Sequence, residues 1–441
     1  MNWSRSERKV KQESPDPAKS ATLLAGLAKV EITPPAGQPM GGYGDRFKED
    51  NGASRGIHDP LFARVLVLKS ADVSAAIVAL DLLFFSSAKV VAEAKRKWGL
   101  DHVILSSTHT HSGPVPKTGG MTTWSDLNRS PAETLDFEAF SQDPWYASTE
   151  RKVVAAIGEA MGKLFPARVG AAKESLERAC LAHNRRLVGP DGKVTMLWAN
   201  PERVPTGPVD HTLGVIRVDD AAGKPRAVLV NFGCHGVVLG SGNRLISADF
   251  PGALVARIEK ELGPECMAMF LQGAEGDVDP CDCGLSGDDG FRTVQETGAA
   301  IAAAALRVAG GIDSSGADNA PLLAKRDLIS IPHRRDDKAS DVAITILVIG
   351  KDIALVAIPG EAFTGHQIAL REKSPAENTF LLGLAYSGEG VPFTIYLPTK
   401  QAAAEGGYGA SNTTFLEVGA GEKMVDAAVA SVRTLVSRLE E

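Results

Sequence analysis

The sequence predicts an α/β protein in which mixed sheets are flanked by helices. Two segments alternate an apolar run, a helix and a second apolar run through short connections, and this order favours parallel strand pairing. A third segment joins two apolar runs through the short turn Lys351-Asp352, which is typical of an antiparallel hairpin. Parallel units combined with a hairpin indicate a mixed sheet.

The first parallel unit starts with the apolar run Ala75–Leu83 and ends with the run His102–Ser106. Between them, Ser86 and Ser87 are predicted to cap a helix, because a serine hydroxyl satisfies free amides at a helix start. Gly99 is predicted to end that helix, since glycine adopts the left-handed conformation found there. The second run leads directly into the polar sequence STHTHSGP.

The second parallel unit starts with Arg226–Phe232 and ends with Cys266–Leu271. Its helix is predicted to begin near Asp249 and to bury one apolar stripe against the sheet. Three side chains spaced four apart form that stripe: Leu254, Ile258 and Leu262.

Polar clusters follow the ends of these predicted strands. The third segment, Ala343–Ile358, ends in the same way, in the sequence Pro-Gly-Glu. In open α/β sheets the carboxyl ends of strands border the ligand crevice, so these sequence-distant clusters are expected to share one site. The clusters are His109 and His111, then His235, then Asp277 and Asp279, and finally Glu361.

The composition limits the classes of partner. The chain has 441 residues, of which 44% are hydrophobic and 23% charged, enough to bury a large core. Its net charge of −7 leaves no basic surplus for a nucleic acid or an anionic membrane. No apolar run approaches the ~18 residues of a membrane span. Nothing in the sequence indicates an oligomeric state.

The N-terminus and the cysteines favour a cytoplasmic protein. Residues 1–21 are expected to form a disordered tail too polar for a signal peptide, and residues 22–441 a single domain. Five cysteines are too few for a disulfide-built fold. Cys281 and Cys283 form a C-x-C pair, but a zinc ribbon needs a second pair, so we interpret them as ordinary thiols.

The histidines suggest a metal site. His109 and His111 lie two apart at a strand end, so their side chains share one face, as metal ligands or as a hydrogen-bonded pair in a polar turn. His235 follows a buried strand and is either a third ligand or a core histidine. Glu361 is predicted to begin a helical stretch, as a ligand or as an acid favoured at a helix N-terminus. Two histidines and one carboxylate hold many catalytic zinc ions.

Two glycine-rich segments carry further candidates. In QGAEGDVDP, residues 272–280, a carboxylate could serve as general base or extra ligand, or the aspartates could cap a turn. Tyr396 and Tyr408 lie in an irregular stretch and are either phenol donors or packing residues. The polar segment Val115–Trp145 next to the histidine pair is either an active-site lid or a solvated surface loop.

Taken together, several motifs resemble the neutral (non-lysosomal) ceramidase family over residues 22–435, and they occur in the family's order. THTHSGP is the most specific of them, and the resemblance is to the catalytic domain of the family. The motifs are LAGLAKVEITPP, GIHDPLFARVLVL, ILSSTHTHSGP, NFGCHGV, QGAEGDVDP, IPGEAF and the YLPT…GGY segment.

The resemblance implies a zinc-dependent amidase domain with mixed sheets and helices. The four positions that match the family's zinc ligands are His109, His235, Glu361 and Tyr396. The three positions that match residues contacting the substrate amide are His111, Arg185 and Tyr408. The family's twelve-residue interval between its two tyrosines is kept here.

One position departs from the family pattern. Ceramidases carry GDVSP, whose serine is proposed as the nucleophile or its close partner, whereas this chain has Asp279. An aspartate cannot reproduce a serine hydroxyl, but it can take a proton from water. The resemblance therefore implies a zinc hydrolase that cleaves a carboxamide of a small-molecule or lipid-like substrate by metal-activated water. Ceramide itself is not the expected substrate.

Three alternatives stay open. The same zinc site could hydrolyse an ester or lactone. The chain could instead be a non-catalytic ligand-binding protein on a retired ceramidase scaffold, which the loss of the serine would favour and the retained ligand set would not. An amidohydrolase-type barrel also uses H-x-H, but near its first strand, whereas here at least two strands precede His109.

Overall fold

The computed structural model describes residues 22–120, 135–315, 320–411 and 413–439. The predicted tail, residues 1–21, lies outside them. The described strands are β1 Leu24–Glu31, β2 Gly56–Ile57, β3 Phe62–Lys69, β4 Ser74–Leu80, β5 His102–Ser107, β6 Phe165–Ser175, β7 Ala182–Asn184, β8 Arg186–Val188, β9 Val194–Met196, β10 Thr212–Asp220, β11 Pro225–Phe232, β12 Leu245–Ile246, β13 Met267–Gln272, β14 Val278–Pro280, β15 Leu322–Pro332, β16 Ala339–Ile349, β17 Ile353–Ala357, β18 Glu361–Ala362, β19 Asn378–Leu382, β20 Ala385–Tyr386 and β21 Tyr396–Leu397.

Seven α-helices accompany these strands within the described ranges. They are α1 Ala88–Trp98, α2 Pro144–Gly162, α3 Asp249–Leu262, α4 Gly287–Gly311, α5 Thr364–Lys373, α6 Lys400–Glu405 and α7 Ala420–Ser437. Four short 3₁₀ turns complete the described elements: Gly44–Lys48, Asp50–Gly52, Ala139–Gln142 and Glu177–Ala179. Within the described chain, no helix is both long enough and apolar enough to cross a bilayer.

The two main sheets are mixed, as predicted. The larger has nine strands in the order β13-β11-β10-β6-β1-β3-β4-β5-β20, and the smaller has four in the order β15-β16-β17-β19. The predicted parallel units are the pairs β4–β5 and β11–β13, and the predicted hairpin is the antiparallel pair β16–β17. The small sheet gains a parallel pair, β17–β19, through α5. The predicted fold class is confirmed.

The sheets pack face to face between two outer layers of helices. Alternate side chains of both sheets, among them Ile77, Leu229 and Leu355, form the inner apolar layer. The opposite face of β1, β3 and β4 buries α1 and α2, and that of β10, β11 and β13 buries α3 and α4. Helices α5 and α7 cover the smaller sheet. Because strand side chains alternate, each sheet can bury both faces at once.

Both ends of helix α1 follow the local chemistry that the sequence predicts. The Ser87 side chain accepts a hydrogen bond from the Val90 amide at the start of α1, and Gly99 ends that helix in the left-handed conformation.

The buried apolar stripe on α3 is shorter than predicted. Leu254 and Ile258 are buried, but Leu262 is 39% exposed. The prediction for Leu262 was wrong because it is the last residue of the helix, where the chain already turns away from the sheet.

Buried Asp249 gives folding stability a testable pH dependence. Its carboxylate accepts hydrogen bonds from the amides of Leu239 and Phe250, and burial raises its pKa to about 7. Between about pH 4 and pH 7 the folded state therefore keeps a proton that the unfolded chain has released. The free energy of unfolding should fall by up to about 1.4 kcal/mol per pH unit from this group as pH rises through that window.

Urea denaturation of the chelated protein at pH 5, 6 and 7 measures this slope. In the Asp249→Asn variant the side chain no longer titrates, so its stability should decline less with rising pH than that of the unmodified protein. Equal slopes for the two proteins would show that Asp249 is ionised throughout the window.

Candidate metal centre

Backbone hydrogen bonds join the segments that follow strands β5, β11, β13 and β17. The His111 amide donates to the carbonyl of Gly236, and the His235 amide donates to the carbonyl of Val278. Gly276 donates in turn to the carbonyl of Ala362, beside Glu361. Each segment after a strand is thus bonded to the next, so the polar residues predicted to meet at the strand ends are held together by main chain.

A buried glutamine connects the two edges of the larger sheet. Gln272 ends β13, and its side-chain amide donates to the carbonyls of Thr108 and Cys234, at 3.0 and 2.9 Å. Thr108 follows β5, which lies near the other end of the strand order. This contact fixes the segment that carries His109 against the segment that carries His235.

Three side chains converge at the centre of the site. The Oε2 atom of Glu361 lies 3.4 Å from Nε2 of His109 and 3.3 Å from Nε2 of His235. All three residues are buried. A tetrahedral site with metal–ligand bonds of about 2.0–2.2 Å places its ligand atoms about 3.3–3.6 Å apart, so the observed separations fit such a site.

The opposite nitrogen of each ring is held by main chain. Nδ1 of His109 lies 2.8 Å from the carbonyl oxygen of Leu83, and Nδ1 of His235 lies 2.7 Å from that of Glu275. A carbonyl oxygen can only accept, so Nδ1 carries the proton in both rings and Nε2 presents a lone pair when the ring is neutral. Outer hydrogen bonds of this kind orient metal-binding histidines.

The protonation states of His235 and Glu361 also favour the binding of a cation between them. Burial lowers the pKa of His235, with Arg185 adding to the effect, which favours the neutral ring. Burial opposes ionisation of Glu361, but the neighbouring His109 and His235 outweigh it and hold the pKa of that carboxyl well below its usual range. Nε2 of His235 and Oε2 of Glu361 have no hydrogen-bond partner among the described residues. Buried lone pairs facing one another repel unless a cation lies between them.

Backbone strain marks the same place. His109 has a φ of +65°, in the left-handed region that residues other than glycine rarely adopt. Strain of this kind persists only where the surrounding structure enforces it, and it concentrates at functional sites.

Two tyrosines and an arginine form one wall of the site. Tyr396 pairs with Glu361 between β21 and β18, and its ring centroid lies 6.4 Å from that of His235 and 5.5 Å from that of Tyr408. Burial raises the pKa of both phenols, so each keeps its proton. The guanidinium of Arg185 lies over both rings, at 5.3 and 5.4 Å from their centroids. Tyr396 lies in a short strand rather than the irregular stretch predicted for it.

Asp279 lies beside Arg185 and His235. Its Oδ1 atom is 3.3 Å from Nη1 of Arg185 and 3.5 Å from Nδ1 of His235. Nη2 of Arg185 donates to the carbonyl of Gly276, and its Nε atom has no acceptor among the described residues. Asp279 therefore faces the Nδ1 edge of His235, while Nε2 faces Glu361. Its role as general base stays a prediction.

His111 lies next to the three converging side chains. Its Nε2 atom is 3.2 Å from Nε2 of His109, and its buried Nδ1 has no partner among the described residues. Burial lowers the pKa of His111 well below its usual value, and the adjacent His109 contributes, so the ring is neutral. A neutral imidazole can donate one hydrogen bond to a bound molecule.

A cavity of about 260 Å³ opens onto this group. Its polar lining includes His109, His111, Glu361, Tyr396 and Tyr408, and its other walls are apolar. The apolar side chains are Phe47, Leu83, Phe84, Phe393 and Ile395. Polar groups converging at one point of an apolar pocket are typical of small-molecule sites.

The polar segment 115–145 is described only in part. Residues 121–134 lie outside the described residues, so the choice between lid and surface loop is not decided. In the described part, Phe137 contacts Phe84 of the cavity wall, with ring centroids 6.3 Å apart. Phe140 packs at 5.2 Å from Phe137.

The structure corrects the predicted setting of Glu361. This residue lies in strand β18, whereas helix α5 begins three residues later at Thr364. Pairing with Tyr396 in β21 keeps Glu361 extended. The alternative of an acid favoured by a helix N-terminus therefore does not apply.

Two residues of the site were not singled out in the sequence analysis, which considered Glu275 only as one of several carboxylates in its loop and did not consider Tyr43. Glu275 is fully buried, and one carboxylate oxygen lies within 4.8 Å of ligand atoms of His109 and Glu361. Tyr43 packs edge-on against His111, with ring centroids 5.0 Å apart. Next to it, a Cβ at Gly42 would lie 2.4 Å from the His111 ring, so only glycine fits. In the sequence, the neighbouring glycines were the one signal that could have pointed to Tyr43 and Glu275 as site residues.

Comparison with known proteins identifies similar sequences. Residues 23–310 match the family described as "Neutral/alkaline non-lysosomal ceramidase, N-terminal". The chain is 29% identical over 203 residues to "Neutral ceramidase A" of Dictyostelium discoideum and 28% identical over 268 residues to "Neutral ceramidase" of Pseudomonas aeruginosa. These alignments cover 43% and 58% of this chain but only 25% and 36% of the two relatives.

Solved structures share the fold. The crystal structure of neutral ceramidase from Pseudomonas aeruginosa matches with a TM-score of 0.72 at 19% identity, covering 95% of this chain and 75% of that one. A structure described as "Ceramidase complexed with C2" matches with a TM-score of 0.73 at 19% identity, covering 95% and 76%. At this identity the agreement concerns the fold alone.

Proposed function

Because this chain belongs to the neutral/alkaline non-lysosomal ceramidase family, we propose that it is a zinc-dependent hydrolase of carboxamide bonds. His109, His235, Glu361 and Tyr396 would hold the zinc ion. Zinc bound there supplies a Lewis acid that polarises the scissile carbonyl and makes water nucleophilic at neutral pH.

One observation carries the proposal. Nε2 of His235 and Oε2 of Glu361 lie 3.3 Å apart, are buried and lack a hydrogen-bond partner among the described residues. Nε2 of His109 lies 3.4 Å from the same oxygen. Nitrogen and carboxylate donors in this arrangement are the ligands that zinc takes in hydrolases.

The neighbouring residues have distinct roles. Asp279 accepts a proton from the attacking water and returns it to the leaving nitrogen. Its Oδ1 atom lies 3.3 Å from Nη1 of Arg185. His111, Tyr408 and the free Nε–H of Arg185 donate hydrogen bonds to the developing oxyanion. Removal of one such donor costs about 10²–10³-fold in kcat.

The cavity supports an apolar acyl group on the substrate. Phe84 and Phe393 stack at 4.8 Å between ring centroids and line the same cavity as the polar group. A carbonyl at the polar end would place an acyl chain along this apolar wall. We therefore propose a lipid-like or small apolar N-acyl amine as substrate. The names of the two curated relatives, both neutral ceramidases, support this choice of substrate class.

Hydrolysis of a defined substrate panel tests the proposal. Purified protein loaded with one equivalent of zinc is given N-acyl amines of increasing acyl length, matched esters and lactones, and ceramide. We expect amide cleavage that stops on chelation and returns with zinc. Turnover of esters or lactones alone would favour the esterase alternative, and absence of all turnover by zinc-loaded protein would favour a retired binding scaffold.

A further inference from the structure

Glu275 differs from the other carboxylates of its loop because its side chain has no hydrogen-bond partner within the described part of the chain. Asp277 accepts hydrogen bonds from the Thr364 amide and from the Asn184 side chain, at 2.7 and 2.8 Å. Asp279 pairs with Arg185. Both carboxylate oxygens of Glu275, by contrast, are buried without any hydrogen-bond partner among the described residues, and the residue is 0% exposed.

Main chain encloses this carboxylate on one side. A Cβ at Gly383 would lie 2.9 Å from Oε2 of Glu275 and 2.6 Å from the carbonyl oxygen of Gly273. The absence of a side chain at Gly383 lets the carboxylate pack directly against backbone. The neighbouring carbonyl oxygen cannot donate a hydrogen bond, so it does not compensate a buried negative charge.

On its other side Glu275 approaches the candidate metal centre. One carboxylate oxygen of Glu275, one of Glu361 and a ring nitrogen of His109 all lie within 4.8 Å of one another. The main-chain carbonyl of the same residue accepts the hydrogen bond from Nδ1 of His235. Glu275 therefore orients one proposed ligand through its backbone and brings its own carboxylate to two others.

Two buried carboxyl groups so close together cannot both be ionised unless positive charge lies between them. Arg185 is committed to Asp279 and to the carbonyl of Gly276. We propose that Glu275 is an additional ligand of the ion held by His109, His235, Glu361 and Tyr396, so that the site has two carboxylates and a coordination number above four. This inference rests on the metal site of the proposed function.

Metal binding by the Glu275→Gln variant tests the inference. Glutamine keeps the shape of the side chain and removes its charge. Zinc affinity is measured by competition with a chromophoric chelator, and coordination number by the visible absorption of Co²⁺-loaded protein, because tetrahedral Co²⁺ absorbs more strongly than five-coordinate Co²⁺. We expect zinc affinity to fall about 10-fold or more. The Co²⁺ absorption should become more intense.

Asp277→Asn is the matched control, because it removes a buried carboxylate from the same loop. It should leave zinc affinity within about twofold and the Co²⁺ spectrum unchanged, since Asp277 accepts hydrogen bonds from the Thr364 amide and the Asn184 side chain, neither of which is a proposed ligand. If Glu275→Gln behaves like this control, Glu275 is not a ligand. If folded unmodified protein binds neither ion, the proposed metal site itself fails.

Thermal unfolding adds a readout that does not depend on turnover. Without metal, Glu275→Gln should unfold at or above the temperature of the unmodified protein, because an unpartnered carboxylate has been removed. Its stabilisation by added zinc should be smaller, since weaker binding stabilises less. If Glu275→Gln fails to fold, Glu275→Leu gives the same comparison. If added zinc stabilises either variant as much as it stabilises the unmodified protein, the inference is overturned.

Discussion

Glu361→Gln is expected to weaken zinc binding by about 100-fold or more, because loss of a direct ligand costs at least as much as loss of an outer-shell partner. The Oε2 atom of Glu361 lies 3.4 Å from Nε2 of His109 and 3.3 Å from Nε2 of His235, so it contacts both proposed histidine ligands. Metal content after gel filtration, measured by mass spectrometry, gives the affinity loss, and hydrolysis at limiting zinc should fall in parallel.

Glu372→Gln is a suitable control for this experiment. Glu372 lies exposed on α5, on the same stretch of chain as Glu361 but facing solvent. It should retain one zinc per chain and full activity. Stoichiometric zinc in Glu361→Gln, or in both His109→Ala and His235→Ala, would remove this cluster from consideration as the metal site.

Asp279→Asn is expected to lower kcat by about 10²–10⁴-fold while zinc remains bound. Asparagine has nearly the same shape but cannot take a proton from water. The variant should also be less stable, by about 3–5 kcal/mol, because Arg185 stays buried without its counter-charge. Steady-state kinetics at saturating zinc and the pH profile of kcat/KM measure the first effect, and urea denaturation measures the second.

The pH profile separates catalysis from positioning. If Asp279 is the general base, the acidic limb of the kcat/KM profile disappears in Asp279→Asn. If Asp279 only neutralises the charge of Arg185, the acidic limb of the kcat/KM profile remains in Asp279→Asn, although kcat falls. An unchanged kcat would reject a role for Asp279 in the reaction. Asp279→Ser restores the family's GDVSP motif, and a gain in ceramide turnover in that variant would attribute the substrate difference to this position.

The sequence was sufficient for the strand–helix–strand units and for the positions of the polar clusters. Hydrophobic runs bounded by serine caps and glycine ends identify β4, α1 and β5, because these signals are local. His109, His235 and Glu361 follow strands in the sequence, and so the strand-end rule placed them in one crevice. Leu262 was misassigned because periodicity does not show where a helix leaves the core.

The closure of the site depends on contacts that no local pattern encodes. Gln272 bonds to Thr108, which lies 164 residues earlier in the sequence, and to Cys234, and its polarity gave no hint of this role. Strand β18 was predicted as helix because its two residues are too few to show alternation. Glu275 looked like one acid among three in a loop. All three are buried, and only its lack of a hydrogen-bond partner among the described residues distinguishes Glu275 from Asp277 and Asp279.

Anomalous X-ray diffraction at the zinc absorption edge, from crystals of the zinc-loaded protein, measures the central claim most directly. The account predicts one strong peak about 2.0–2.2 Å from Nε2 of His109, Nε2 of His235 and Oε2 of Glu361. A structure of fully zinc-loaded protein whose peak lies away from these three atoms would contradict it.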